Sequence, residues 1–256
     1  MKPEAQMKKY KKNLKPNYSP ENLSYSGYQE LLDIELNLLK YNNNILDLID
    51  KSKPSENSKN LKVLDFGSGT GHIAKLFTKR FGVSPDCLEI DKQLRLISQN
   101  KGLSCYSDFE DLPFLYDFVY SSNVLEHIED DVDALKSLAN VMHSGSVLGV
   151  YVPAFNFLYS SLDAKVGHFR RYSKKELMNK IQLSGFEITK IQFVDSIGFF
   201  ASIAIKILGF KDHMSIGSDK SLKFYDKFIF PFSKICDVLG FKYFLGKNLY
   251  CTAVKK

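Results

Sequence analysis

One run constrains this chain more than any other: Val63-Leu64-Asp65-Phe66-Gly67-Ser68-Gly69-Thr70-Gly71, an apolar strand that passes into a turn with glycine at alternate positions and then into a helical segment. Glycine is needed where the backbone takes positive φ or approaches a ligand more closely than a Cβ permits. Three of them leave almost no side chain in the turn, so a ligand can rest on the backbone. A dinucleotide fingerprint places its third glycine one position later, where this chain has His72, and this weakens a nicotinamide reading. An acidic residue about 20 positions on, at the end of the next strand, is the usual partner of ribose hydroxyls in such folds. Glu89, after Cys87-Leu88, stands there.

Strand and helix signals alternate from this point: Lys62–Phe66, His72–Phe81, Val83–Ile90, Gln93–Asn100, then strands at Ser104–Tyr106, Phe118–Ser121 and Val147–Val152. Such alternation predicts parallel strands with crossover helices, an α/β fold. Asp131 and Asp133 open a helix at its positive end, where carboxylates are favoured. Upstream, Gln29–Asp50 has the apolar spacing of one helix or a pair, and Lys51–Asn60, with Pro54, reads as a connector. Downstream, Ala154–Lys175 is a long loop, Lys174–Leu183 a helix capped by Ser173 and stopped by Gly185, and Phe186–Phe193 and Leu249–Val254 are strands. Residues 1–60 form an arm and helical cap, and 61–256 one domain with a loop at 154–175 and an apolar helical insertion at 196–247.

The glycine turn, with Asp65 before it, resembles the first motif of the class I S-adenosylmethionine-dependent methyltransferases. The resemblance continues in order through Leu88-Glu89-Ile90-Asp91, Ser107-Asp108-Phe109-Glu110-Asp111-Leu112-Pro113-Phe114 and Ser121-Ser122-Asn123-Val124-Leu125-Glu126-His127-Ile128, and covers about Leu61 to Pro153. It implies a Rossmann-like, doubly wound, seven-stranded sheet, mostly parallel with an antiparallel last strand. S-adenosylmethionine is the implied cofactor. Asp65 and the turn Gly67, Ser68, Gly69 and Gly71 would hold its methionine end, Glu89 the ribose, and Asp108 with Phe109 the adenine. Ser122 and Asn123 would lie beneath the methyl. Glu126 and His127 shape a helix start in this pattern more often than they touch substrate.

Methyl transfer to a hydroxyl needs a base as well as alignment. His168 is the first candidate, because histidine titrates near neutrality and this one lies in the loop expected over the cofactor; Asp163 is the second. Arg170 and Arg171 offer planar forks for carboxylate or phosphate, with Tyr159 and Tyr172 as walls. The segment Tyr159–Asp163 followed by Gly167-His168-Phe169-Arg170-Arg171-Tyr172 is similar to a subset of bacterial methyltransferases associated with cell-surface glycans. That narrower resemblance implies O-methylation of a small or lipid-linked, glycan-type acceptor. No metal is expected.

Composition narrows the field further. The net charge of +6 sits largely in Lys8-Lys9-Tyr10-Lys11-Lys12-Asn13-Leu14-Lys15, a solvated arm. Nucleic acid is not expected as partner, since base-modifying relatives carry Asn/Asp-Pro-Pro-aromatic where this chain has Ser122-Asn123-Val124-Leu125. Cys87, Cys105, Cys236 and Cys251 show no zinc spacing and no secretory signal precedes them, which fits reduced thiols and a cytoplasmic protein. The apolar run Ile197–Phe210 is shorter than the roughly 20 residues a membrane span needs and is interrupted by Lys206. Phe224–Leu245 mixes aromatics with lysines in a way that suits either a helix on the inner face of a membrane or a cap over the sheet. Two rivals stand beside the enzyme reading: a silent methyltransferase fold serving as a membrane- or partner-binding module, and an NAD-dependent oxidoreductase. The oligomeric state is not legible.

Overall fold

A computed structural model describes residues 28–54, 61–208 and 219–256. The basic arm, residues 55–60 of the connector, and the end of the Ile197–Phe210 run lie outside the described residues. Seven strands form one sheet in the order β3-β2-β1-β4-β5-β7-β6. They are β1 (Val63–Phe66), β2 (Asp86–Leu88), β3 (Cys105–Tyr106), β4 (Tyr116–Ser122), β5 (Met142–Pro153), β6 (Phe186–Val194) and β7 (Asn248–Lys255). β7 runs antiparallel to both neighbours; every other pairing is parallel. This is the Rossmann-like methyltransferase arrangement that the four motifs imply.

Both faces of the sheet are covered, and the two-residue period of a strand divides its side chains between them. Leu64, Val119, Val150 and Leu249 join a core under α5 (Asp131–Asn140) and α7 (Lys174–Leu183), whose Leu135, Leu138, Leu177 and Ile181 face the strands. Val63, Phe118, Tyr120, Tyr151 and Tyr250 point the other way, against α2 (Leu39–Ser52) and α3 (His72–Phe81). The centre of the sheet is therefore apolar on consecutive residues, as strands buried on both faces are.

The leading segment is a pair of helices, α1 (Tyr28–Asn37) and α2, broken at Leu38. Leu38, at the N-cap position of α2, has no side chain that could cap it. The first amides of α2 donate instead to Asp226, from Lys40 N to Oδ2 at 3.0 Å and Tyr41 N to Oδ1 at 2.9 Å. A carboxylate at a helix N-terminus is favoured by the helix dipole, and here it ties the two ends of the chain together. Asp226 lies in a π-type turn, Tyr225–Ile229, between α9 (Asp219–Phe224) and α10 (Phe230–Val238). β5 starts earlier than the Val147–Val152 expected: Met142 pairs with Tyr116, and the register then slips before Phe118 meets Val147. Gly145, at φ 84°, lies inside this irregular stretch and kinks the strand.

The carboxyl-terminal helices divide the apolar residues of the insertion. Phe230 is buried against Tyr41, whereas Phe224, Phe228, Phe232, Ile235 and Leu239 are exposed. Among the described residues no helix is long and apolar enough to cross a membrane.

Candidate active site

The parallel register brings the motifs to one rim. Phe66 pairs with Leu88 and Ser121, and Leu88 with Tyr106, so the residues after β1, β2, β3 and β4 emerge side by side. These are the glycine turn, Glu89, Asp108 and the Ser122–Asn123 pair. Gly67, Gly69 and Gly71 all have positive φ, at 72°, 56° and 75°. A Cβ on Gly67 would meet Val124 Cγ2 at 2.4 Å, and one on Gly71 would meet Leu103 Cδ1 at 2.4 Å. The turn is thus held tight against the protein by packing. Gly69 lies under Leu31 of α1, and Thr70 donates its hydroxyl to Glu35 of the same helix.

Glu89 binds the turn itself, its carboxylate accepting from Gly69 N at 2.8 Å and Asp91 N at 2.9 Å. Burial pushes its carboxyl up, with those two amides opposing the shift. Asp65 accepts from the Tyr120 hydroxyl at 3.1 Å; burial pushes its carboxyl up to about 8 against that hydrogen bond, and the Glu89 charge adds to the rise. Asp108 caps the 3₁₀ turn Phe109–Asp111 through Glu110 N at 3.2 Å, and Phe109 stacks on Phe66 with centroids 5.7 Å apart. Asn123 holds φ 55° and donates its amide to Tyr151 O. Among the described residues two other non-glycine residues have positive φ, Phe155 at 63° and Asp195 at 66°, and all three closely follow the carboxyl ends of β4, β5 and β6. Such conformations cost of order 1–3 kcal/mol each and persist where the surroundings enforce them.

The second half of the site comes from the loop after β5. Within it α6 (Ser161–Lys165) is short, and its Asp163 is buried. Asp163 Oδ1 receives both His168 Nδ1 and Arg171 Nε at 2.8 Å, and Oδ2 receives Ser160 N at 2.9 Å. Burial pushes this carboxyl up, but the partners outweigh it and hold it well below the usual range. His168 therefore carries a proton on Nδ1 and turns Nε2 toward Glu126 Oε1, 4.0 Å away. Tyr159 donates to His168 O at 2.7 Å. Arg170 and Tyr172 are committed elsewhere: Arg170 Nη1 lies 2.9 Å and Tyr172 Oη 2.6 Å from Asp131 Oδ2, and Tyr172 is fully buried. Of the four residues expected to meet an acceptor, these two build the wall between loop and α5. Arg171 keeps a buried Nη1 with no hydrogen-bond partner among the described residues.

Three features add to the sequence reading, the first being where the helix start at Glu126 and His127 leads. Glu126 and His127 occupy a 3₁₀ turn, Leu125–His127, that brings them against His168. Lys247, the residue before β7, accepts a hydrogen bond from Ala154 N, and burial pulls its ammonium down, opposed by Asp195. Phe155 stacks on Phe193 at 5.0 Å and meets Phe157 and Phe199, an aromatic corner at the same rim. Glu126 and His127 lie within the fourth motif, which marked them as a helix start; nothing local distinguishes Lys247 or Phe155.

Residues 38–191, well over half of the chain, match the family described as "Methyltransferase domain". The chain belongs to this family. S-adenosylmethionine is accordingly its methyl donor. Solved structures agree on the fold. A S-adenosylmethionine-dependent methyltransferase from Thermotoga maritima is 16% identical with a TM-score of 0.61, over 90% of this chain and 98% of that one. One from Archaeoglobus fulgidus is 18% identical with a TM-score of 0.59, over 89% and 100%. Haemonchus contortus phosphoethanolamine N-methyltransferase 2, solved with S-adenosylmethionine, is 13% identical with a TM-score of 0.58, over 93% of this chain and 61% of that one. A search of curated proteins finds no match. The rim suits the methyl donor: a turn with glycine at alternate positions, with acidic residues at the tips of neighbouring strands.

Proposed function

We propose that this methyltransferase acts on oxygen, methylating a hydroxyl of a small or lipid-linked, glycan-type acceptor. The observation that carries the reading is the Asp163–His168 pair at the carboxyl rim of the sheet, because a hydroxyl must give up its proton as it is methylated. S-adenosylmethionine supplies an electrophilic methyl on a sulfonium. The turn from Gly67 to Gly71, with Asp65, would hold its methionine end, Glu89 its ribose, and Asp108 with Phe109 its adenine, with Ser122 and Asn123 beneath the methyl. To meet a ribose, Glu89 would release or share its bond to Gly69. Asp163 fixes the His168 ring and leaves Nε2 to accept the proton. Arg171 Nη1 and the Lys247 ammonium give an anionic acceptor two cations to face, and the Phe155 corner gives it an apolar wall. Tyr159 orients the loop through His168. The exposed Phe228, Phe232 and Ile235 favour an acceptor presented at a membrane surface.

The test is to incubate the protein with methyl-labelled S-adenosylmethionine and a lysate of its source organism, then partition the label. Enzyme-dependent label in the organic layer is expected. Label confined to aqueous metabolites would remove the lipid from the proposal, and label in nucleic acid would overturn it.

A further inference from the structure

Glu126 is fully buried, yet neither of its carboxylate oxygens receives a hydrogen bond from another of the described residues. A buried carboxylate in that condition is costly unless something positive meets it. What lies around it is a set of donor atoms. One side-chain atom each from Glu126, His127 and His168 falls within 4.8 Å of the other two. The two imidazole rings meet edge to face with centroids 4.6 Å apart.

The His168 ring is oriented so that its lone pair faces inward. Asp163 takes the Nδ1 proton and shares the same oxygen with Arg171, so Nε2 is the acceptor end of the ring. Glu126 Oε1, also an acceptor, stands 4.0 Å across the gap. Two acceptors facing each other repel unless a proton or a cation lies between them. Metal–nitrogen and metal–oxygen bonds of about 2.0–2.2 Å would fit an ion into that gap with only slight closing. A carboxylate on the far nitrogen of a ligating histidine is also the usual outer support of such a ligand. His127 is supported likewise, by a hydrogen bond to the backbone of Gly167.

We infer that Glu126, His127 and His168 form a binding site for a divalent transition cation at the acceptor end of the rim. Two imidazoles and a carboxylate select ions such as Zn²⁺, Mn²⁺ or Co²⁺ over Mg²⁺ and Ca²⁺, which prefer oxygen throughout. Three protein ligands leave a position open, suited to an acceptor oxygen. The inference rests on the reading that the acceptor binds at this rim, and it makes His168 Nε2 a ligand where that reading made it the base.

Metal-free full-length protein titrated with Co²⁺ and followed by visible absorption tests it. One equivalent should bind and develop ligand-field bands. Asp163→Asn, which alters the support of His168 and removes no ligand, should weaken binding about 10–100-fold, and Glu126→Gln and His168→Ala by more. His143→Ala, an exposed histidine on β5, should change nothing. Pulsed electron paramagnetic resonance of bound Mn²⁺ on the unaltered protein should report two coordinated imidazole nitrogens, which covers the case of a variant that fails to fold. Absence of stoichiometric Co²⁺ binding, or binding that survives both ligand substitutions, would overturn the inference. Calorimetry with S-adenosylhomocysteine on the same metal-free sample separates the two readings. Cofactor binding without Co²⁺ binding sinks the metal site alone, and Co²⁺ binding without cofactor binding sinks the methyltransferase reading alone.

Discussion

The two halves of the site are built in opposite ways. The half at β1 to β3 takes its frame from one stretch of chain: strand, glycine turn and Glu89 follow one another, and Glu89 closes on the turn through Gly69 N. The half after β5 is assembled at a distance. Glu126 comes from the 3₁₀ turn after β4, Asp163 and His168 from the long loop, and Lys247 from the residue before β7. A backbone cradle can be specified by consecutive residues because the constraint is conformational. A cluster of buried charges exists only once topology has brought its members together.

Removing the centre of the distant cluster should have the largest effect. Asp163→Ala strips a buried anion from His168 and Arg171 and is expected to cost about 3–5 kcal/mol in denaturant unfolding. A loss below about 1 kcal/mol would mean that the cluster is not the keystone of its half. Gly67→Ala tests the local half: a side chain at positive φ that also meets Val124 should cost about 1–3 kcal/mol and lower affinity for S-adenosylhomocysteine. Stability unchanged by thermal melting would show that the turn has room to spare.

Asp65 gives a pH signature to the local half. Its carboxyl is raised in the folded protein from 3.8 to about 8, so its contribution to stability is complete below the ordinary value and is lost as pH rises toward 8. Asp65→Asn should flatten that part of the stability–pH curve between about pH 4 and 8; an unchanged slope would assign it to other groups. Asp226→Ala removes the borrowed cap of α2 and should cost about 0.5–2 kcal/mol. The smallest effect is expected from Phe228→Ser with Phe232→Ser, which should shift stability by less than about 0.5 kcal/mol. The same pair should reduce co-sedimentation with anionic vesicles, and unreduced binding would remove these rings from any membrane contact. Phe230 is unsuitable for that test because it packs on Tyr41.

What could be read from the sequence follows the same division. The alternation of strands and helices along the chain, the helix starts at Asp131 and Lys174 and the glycine turn were legible because each is set by period, cap or conformation within a few residues. Asp163 and His168 were legible as a loop pair, but their joint role with Arg171 was not, since a salt bridge leaves no local pattern. Arg170 and Tyr172 looked like acceptor contacts and instead bind Asp131, because a charged helix start buried beside them needs partners. The capping of α2 by Asp226 had no signal at all; the two residues meet only after the whole sheet is laid down.

The central claim is that the rim holds S-adenosylmethionine through the turn and Glu89. Calorimetric titration of the folded protein with S-adenosylhomocysteine tests it most directly, with Glu89→Ala run in parallel. The account predicts saturable one-to-one binding that weakens in the variant while the melting temperature holds. No heat from the folded wild-type protein, or equal affinity in the variant, would contradict it.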